Sequence, residues 1–150
     1  MWKMILVPHD FSASANHALA IARDEAKLHH GTILLLHVVE LPPHFAADML
    51  VMTSGSEPPI GMRQYAVASA SKHLDDLEAR LEKDGVTVTS FVRVGAPVEE
   101  IKRLVGEQGV DVIVMGTHGR TGLRHLVAGS VAERVVRTSE VPVMTIRHPD

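Results

Sequence analysis

The sequence predicts an α/β domain in which a parallel sheet is covered by helices on both faces. Five short apolar runs recur along the chain, and segments with helical spacing lie between them. Strands and helices that alternate in this way are typical of a parallel sheet. Three stretches, Ile5–Val7, Ile33–Leu36 and Val112–Met115, are continuously apolar. That pattern is expected of strands buried on both faces.

Each apolar run has the length of a strand. The five runs are Met4–Val7, Thr32–Val39, Val86–Val94, Val110–Met115 and Val141–Ile146. The third alternates apolar and polar residues, so one of its faces is expected to meet water near an edge of the sheet. The fifth contains Pro142, which cannot donate a ladder hydrogen bond and also favours an edge position.

Four helices are predicted between these strands. Ser14–His30 has a stripe of alanine and leucine and is followed by Gly31, a common stop signal. The segment from Arg63 to Lys83 has the strongest helical spacing, with apolar residues three and four apart. Pro97 suits the first turn of a third helix, and a fourth is expected from about Ser130 to Arg137.

The segment from residue 41 to residue 62 fits neither pattern. It is long for a connection and contains four prolines and two glycines. Loops of this length in compact domains are usually functional lids or mobile segments, and both interpretations stay open. Since no domain boundary or internal repeat is visible, residues 1–150 are expected to form a single domain.

Composition narrows the class of protein. The net charge is −3 with histidines neutral, so there is no basic excess to neutralise a nucleic-acid backbone. The absence of cysteine excludes disulfides and thiolate chemistry. No apolar stretch approaches the roughly 18 residues that a membrane helix requires. We therefore expect a cytoplasmic protein that binds neither nucleic acid nor membrane.

A glycine-marked segment after the fourth strand carries the candidate chemistry. Gly116-Thr-His-Gly119 follows the strand directly, and nine residues separate Gly119 from Gly129-Ser130 at the start of the last helix. Glycines here let backbone N–H groups approach an anion, and the helix N-terminus adds further donors. Arg120 can pair with a phosphate. Alternatively, the glycines are turn residues and Ser130 is a helix cap.

A second polar turn follows the first strand, at Pro8-His-Asp-Phe-Ser12. Ligands of open parallel sheets bind outside the carboxyl ends of strands, where the winding reverses. If the first and fourth strands are neighbours there, Asp10 and Gly116 face one crevice. Asp10 would then accept hydrogen bonds from a ribose hydroxyl or an adenine amine. The alternative is that Asp10 caps the first helix.

These residues together resemble the universal stress protein family. The resemblance rests on Gly116-x2-Gly119-x9-Gly129-Ser130, on the following Val-Ala-Glu-Arg-Val and Val141-Pro-Val143, and on Ile5-Leu-Val-Pro-His-Asp-Phe-Ser12. It covers essentially the whole chain, and the glycine spacing is that of the nucleotide-binding branch. The resemblance implies a Rossmann-like three-layer α/β/α fold with a five-stranded parallel sheet in the order 3-2-1-4-5. It also implies a homodimer formed through the last strand, residues 141–147.

The resemblance further implies ATP, with Mg²⁺, between the first and fourth strands. Pro8 and Asp10 would line the adenosine end, and Val39 would contact adenine through its backbone. Met115 and Gly116 would lie beside the ribose and phosphates. The residues expected to hold the phosphates are Gly119, Gly129, Ser130 and Val131, with Arg120 as a basic partner and Ser130 as a possible Mg²⁺ ligand.

No residue is evident as a catalytic base or as a group that orients water, and ATP hydrolysis usually needs one. The sequence therefore favours nucleotide binding over efficient turnover, in a dimeric stress or regulatory module. Two alternatives stay open. One is a nucleotide-free interaction protein with structural glycines, and the other is a slow ATPase.

Overall fold

The computed structural model describes residues 1–42, 49–52, 58–117 and 130–147, and only the backbone of Ser130. The described part contains four helices and seven strands. In chain order they are β1 (Met4–Pro8), α1 (Ala13–His29), β2 (Thr32–Val39), β3 (Leu50–Val51), β4 (Ile60–Gly61), α2 (Met62–Lys83), β5 (Thr87–Val94), α3 (Pro97–Gln108), β6 (Val112–Gly116), α4 (Ser130–Thr138) and β7 (Val143–Ile146).

Five strands form one parallel sheet in the order β5-β2-β1-β6-β7. Without the two short strands of the connection, this is the order 3-2-1-4-5 that the family resemblance implies. The predicted α/β class and strand order are confirmed. The alternating strand β5 and the proline-led strand β7 both lie at edges, as predicted.

The sheet has a core on each face because successive side chains along a strand point to opposite sides. Ile5 and Val7 pack on the face covered by α1 and α2, whereas Leu6 packs on the face covered by α3 and α4. All three are fully buried. Strand β1 is therefore central, with a layer of helices on each side.

The connection from residue 41 to residue 62 differs in part from the expected loop. Leu50–Val51 and Ile60–Gly61 form a short antiparallel pair, and Met62 already begins α2. Residues 43–48 and 53–57 lie outside the described part of the chain. The choice between a lid and a mobile segment stays a prediction.

Candidate functional site

The winding of the sheet reverses between β1 and β6. From β1 the chain adds β2 and then β5 on one side, and it crosses to the other side to add β6 and β7. Strands β1 and β6 are parallel neighbours, with Ile5 opposite Val112 and Leu6 opposite Ile113. Their carboxyl ends lead into Asp10 and Gly116, so the predicted adjacency of these two segments is confirmed. This is the position where open α/β sheets bind ligands.

Gly116 lies against the start of α1. A Cβ placed on Gly116 would overlap the hydroxyl oxygen of Ser14 and come within 2.9 Å of its backbone carbonyl. Ser14 is itself buried. A glycine at this position is therefore explained by close packing of the helix on β6, whether or not a ligand binds beside it.

Asp10 lies in a turn built from side-chain hydrogen bonds. Its Oδ1 accepts a hydrogen bond from the Ser12 amide at 3.0 Å, and the Ser12 hydroxyl accepts one from the Ala15 amide at 3.1 Å. Ser12 is thus the N-cap of α1, and the alternative in which Asp10 caps that helix is wrong. The Asp10 carboxylate is held in one orientation at the end of β1.

Val39 ends β2, on the other side of β1 from β6. Its side chain is buried, so a ligand would reach it through the backbone. Its carbonyl accepts a hydrogen bond from the Gly95 amide at 3.0 Å. A carbonyl oxygen has two lone pairs, and this bond uses one of them.

The other described candidates lie along the same strand ends or at the start of α4. Pro8 and Gly116 are partly exposed, whereas Met115 is buried in the core beneath α3 and α4. Val131 is partly buried in the first turn of α4. Ser130 is the first described residue of that helix. The first amides of a helix have no partner within it and can donate to an anion.

Three of the predicted phosphate-binding residues lie outside the described residues. They are Gly119, Arg120 and Gly129. The side chain of Ser130 lies outside them as well. Their roles stay predictions from the sequence.

The burial and hydrogen bonding of His9 in this turn are not evident from the sequence. The residue is 4% exposed. Its Nδ1 accepts a hydrogen bond from the Phe11 amide at 3.0 Å, and its Nε2 lies 3.1 Å from Asn16 Oδ1. An amide can only donate, so Nδ1 is unprotonated and Nε2 carries the proton. Burial lowers the pKa of His9 to about 4, against smaller raising effects of Asn16 and Asp10.

Three aromatic side chains surround Phe11. Its ring stacks on His37 at 4.5 Å between centroids, with 28° between planes, and lies 5.0 Å from His73 and 5.4 Å from His9. Phe11 has a positive φ of 66°, which is uncommon for a residue with a side chain. The ring contacts and the hydrogen bond that the Phe11 amide donates to His9 Nδ1 together offset the cost of this conformation.

Within the described part of the chain, no helix is both long and apolar enough to cross a membrane.

The chain is similar in sequence and fold to known proteins. The family model described as "Universal stress protein family" matches residues 1–147. Universal stress protein MJ0577 of Methanocaldococcus jannaschii is 31% identical over 155 residues, covering 98% of this chain and 96% of that protein. The solved structure of MJ0577 has a TM-score of 0.80 at 29% identity, covering 100% of this chain and 99% of that one.

Two further solved structures share the fold at lower identity. A universal stress protein in complex with cAMP has a TM-score of 0.69 at 21% identity, covering 97% of each chain. A universal stress protein of Archaeoglobus fulgidus in complex with dAMP has a TM-score of 0.67 at 19% identity, covering 97% of this chain and 98% of that one. The match of the family model across almost the full length, together with the glycine spacing and the sheet order, shows that this chain belongs to the universal stress protein family.

Proposed function

We propose that the chain binds an adenine nucleotide, ATP with Mg²⁺, in the crevice at the carboxyl ends of β1 and β6. The observation that carries the proposal is the adjacency of these two strands at the point where the winding reverses. It brings the Asp10 turn and the end of β6 to one edge of the sheet, where nucleotides bind in folds of this class. Residues 1–150 would act as one nucleotide-binding domain.

The partial exposure of the described candidates fits this ligand. Pro8, Asp10, Gly116 and Val131 are all partly open to solvent, and Val39 offers its backbone. Asp10 is suited to the adenosine end, because a carboxylate accepts from hydroxyl and amine donors and repels phosphate. Met115 and Gly116 would lie beside the ribose and phosphates.

The triphosphate would lie at the N-terminus of α4. Backbone amides from Ser130 and Val131, together with Gly119 and Gly129, would donate to its oxygens, and Arg120 would pair with its charge. Bound Mg²⁺ is commonly held by substrate phosphates with few protein ligands, and the Ser130 hydroxyl is the candidate ligand here. The ion would neutralise part of the phosphate charge.

The choice of an adenine nucleotide has further support in two proteins of the same fold. They form complexes with cAMP and with dAMP. Because they are less than 25% identical to this chain, they indicate what the fold can hold, and the residues at β1 and β6 carry the proposal for this chain.

The biological role that fits is that of a dimeric cytoplasmic stress or regulatory module that responds to the nucleotide. The sequence offers no evident catalytic base or water-orienting residue, and ATP hydrolysis usually needs one, so we propose binding without efficient turnover.

The dimer would form through the edge of β7. The carbonyls of Pro142 and Ile146 accept hydrogen bonds from Ile113 and Thr117 of β6 and its extension, at 3.0 and 3.1 Å. Residues of a strand alternate in direction, so the backbone groups of Val143 and Thr145 point away from β6. Pairing with β7 of a second copy would satisfy those groups.

A nucleotide-free interaction protein is the second candidate function. The observation that favours it is the contact between Gly116 and Ser14, which explains that glycine without a ligand. The two functions predict different results for nucleotide bound to the purified protein and for the change in its melting temperature with ATP.

Mass spectrometry of the purified protein and a thermal shift with millimolar ATP and Mg²⁺ test the proposal. We expect co-purified adenine nucleotide or a clear upward shift, and Gly119→Ala or Gly129→Val should abolish it while the fold is retained. Gly106→Ala is the matched control, because a Cβ at Gly106 in α3 meets nothing within 4 Å. No nucleotide and no shift would support the interaction protein, and sustained phosphate release would indicate a slow ATPase.

A further inference from the structure

His9 uses each of its four hydrogen-bonding groups to hold the turn after β1. Its amide donates to the Leu36 carbonyl at 2.7 Å, and its carbonyl accepts from His37 Nδ1 at 2.7 Å. Its ring binds Phe11 through Nδ1 and Asn16 through Nε2. Through its backbone and its ring, this one buried residue connects β2, the turn and α1.

The hydrogen bond from the Phe11 amide to Nδ1 has a specific geometric effect. It spans two residues, in the same way that an Asp or Asn side chain accepts from the amide two positions later. It holds Phe11 at a positive φ, and Asp10 lies between the two partners. The Asp10 carboxylate is then fixed by the Ser12 amide. The direction of Asp10 therefore depends on an acceptor at position 9.

We propose that His9 is a positioning residue for the nucleotide site, and that its unprotonated Nδ1 keeps the Asp10 turn in the conformation that accepts adenosine. Protonation of Nδ1 replaces an acceptor with a donor that faces the Phe11 amide, so the turn is released in acid. This inference rests on the proposed function, because Asp10 is expected to contact the nucleotide.

The groups around His9 determine the pH at which the turn is released. Asp10 of the same turn favours the charged ring, and His37 from β2 disfavours it. Asn16 from α1 offers a neutral oxygen. From α2, His73 packs behind Phe11, and Asp76 and Arg80 line the groove beside Phe11 and Asn16. Burial is the largest influence and holds the pKa of His9 at about 4, so the turn stays closed at neutral pH.

Nuclear magnetic resonance of the unliganded protein tests the tautomer and the release directly. Long-range ¹H–¹⁵N spectra should show the His9 proton on Nε2 at pH 7, and the ring should titrate with a midpoint of about 4. The Phe11 amide shift should move with the same midpoint. A proton on Nδ1, or a Phe11 amide that does not follow the ring, would overturn the proposal.

Two substitutions at His9 separate the acceptor from the rest of the ring. His9→Asn keeps an acceptor for the amide two residues later, whereas His9→Leu leaves that amide without one. We expect ATP affinity to fall about tenfold or more in His9→Leu and to stay within about threefold of the wild type in His9→Asn, since an unsatisfied buried donor is costly. Equal affinity in wild type and His9→Leu would overturn the positioning role alone.

Asn16→Asp provides a test that leaves His9 in place, and therefore does not depend on whether His9→Leu folds. A carboxylate facing Nε2 stabilises the charged ring, so the pKa of His9 should rise by about one unit. The pH at which ATP affinity is lost should rise by the same amount. An unchanged binding midpoint with a raised His9 pKa would contradict the proposal, and absence of ATP binding at every pH would overturn it together with the proposed function.

Discussion

Gly116 at the end of β6 lies so close to Ser14 in α1 that no side chain fits between them. The contact joins residues that are far apart in sequence, and it places the first turn of α1 beside the carboxyl end of β6. It has a direct consequence for stability, whether or not a nucleotide binds.

Gly116→Ala should destabilise the protein. The added Cβ would overlap the Ser14 hydroxyl and backbone, and overpacking of this kind typically costs about 1–3 kcal/mol. Urea unfolding at pH 7 measures the effect. In the same experiment Gly106→Ala should be neutral or stabilising by up to about 1 kcal/mol, because alanine is the better helix former and has open space there. Equal stability of Gly116→Ala and wild type would show that α1 does not pack on β6 as described.

Stability should depend on pH through His9. The pKa is 6.5 in the unfolded chain and about 4 in the folded protein, so the unfolded state takes up a proton first. The contribution of His9 is complete above about pH 7, falls as the pH drops from 6.5 to 4, and levels off below that. The two pKa values make the loss about 3 kcal/mol.

Urea unfolding between pH 7 and pH 4 checks this, with the wild type compared to His9→Asn. The titration of carboxylates is common to both proteins, so the difference between them isolates His9. His30→Asn is a matched control, since His30 is exposed and its left-handed conformation suits asparagine. If the free energy of unfolding changed with pH equally in the wild type and in His9→Asn, His9 would not be a buried, neutral residue in the folded protein.

Asp10→Asn tests the adenosine end of the proposed site. Asparagine retains an oxygen for the Ser12 amide, so the turn should persist. It loses the negative charge, and hydrogen bonds to charged groups contribute more than neutral ones. We expect ATP affinity, measured by calorimetry, to fall about tenfold with little change in melting temperature. Unchanged affinity would remove Asp10 from the site.

Thr145→Pro should separate the proposed dimer. The Thr145 amide points away from β6, so proline removes a donor from the outer edge without breaking the ladder to β6. Light scattering at micromolar concentration should show a dimer for the wild type and for Thr145→Val, and a monomer for Thr145→Pro. A wild-type monomer under these conditions would argue against the edge pairing.

Much of the sheet follows from local sequence patterns. The alternating strand and the proline-led strand both lie at edges, where their residues predict them. The strand order itself rests on the family resemblance, because apolar runs do not specify which strands are neighbours. Two of the strand boundaries that differ from the predicted ones have a local explanation. Strand β7 begins after Pro142, and β6 begins at Val112, after Asp111 accepts hydrogen bonds from the Lys3 and Met4 amides.

The site is less predictable, because its key contacts join distant residues. Asp10 is expected at the strand end from its position after β1, and the predicted adjacency of β1 and β6 is confirmed. The contact of Gly116 with Ser14 and the ring contacts of Phe11 with His37 and His73 depend on tertiary packing. A histidine next to Asp10 carries no pattern that would reveal its burial or its tautomer.

The most direct test of the central claim is a chemical-shift map of the ¹⁵N-labelled protein titrated with ATP and Mg²⁺. The proposal predicts saturable shifts of the Asp10, Val39, Gly116 and Val131 amides. Gly31 and Gly109 precede β2 and β6, at the amino-terminal ends of the strands, and their amide shifts should stay unchanged. No saturable shifts, or shifts confined to the groove between Asn16 and Arg80, would contradict a nucleotide site between β1 and β6.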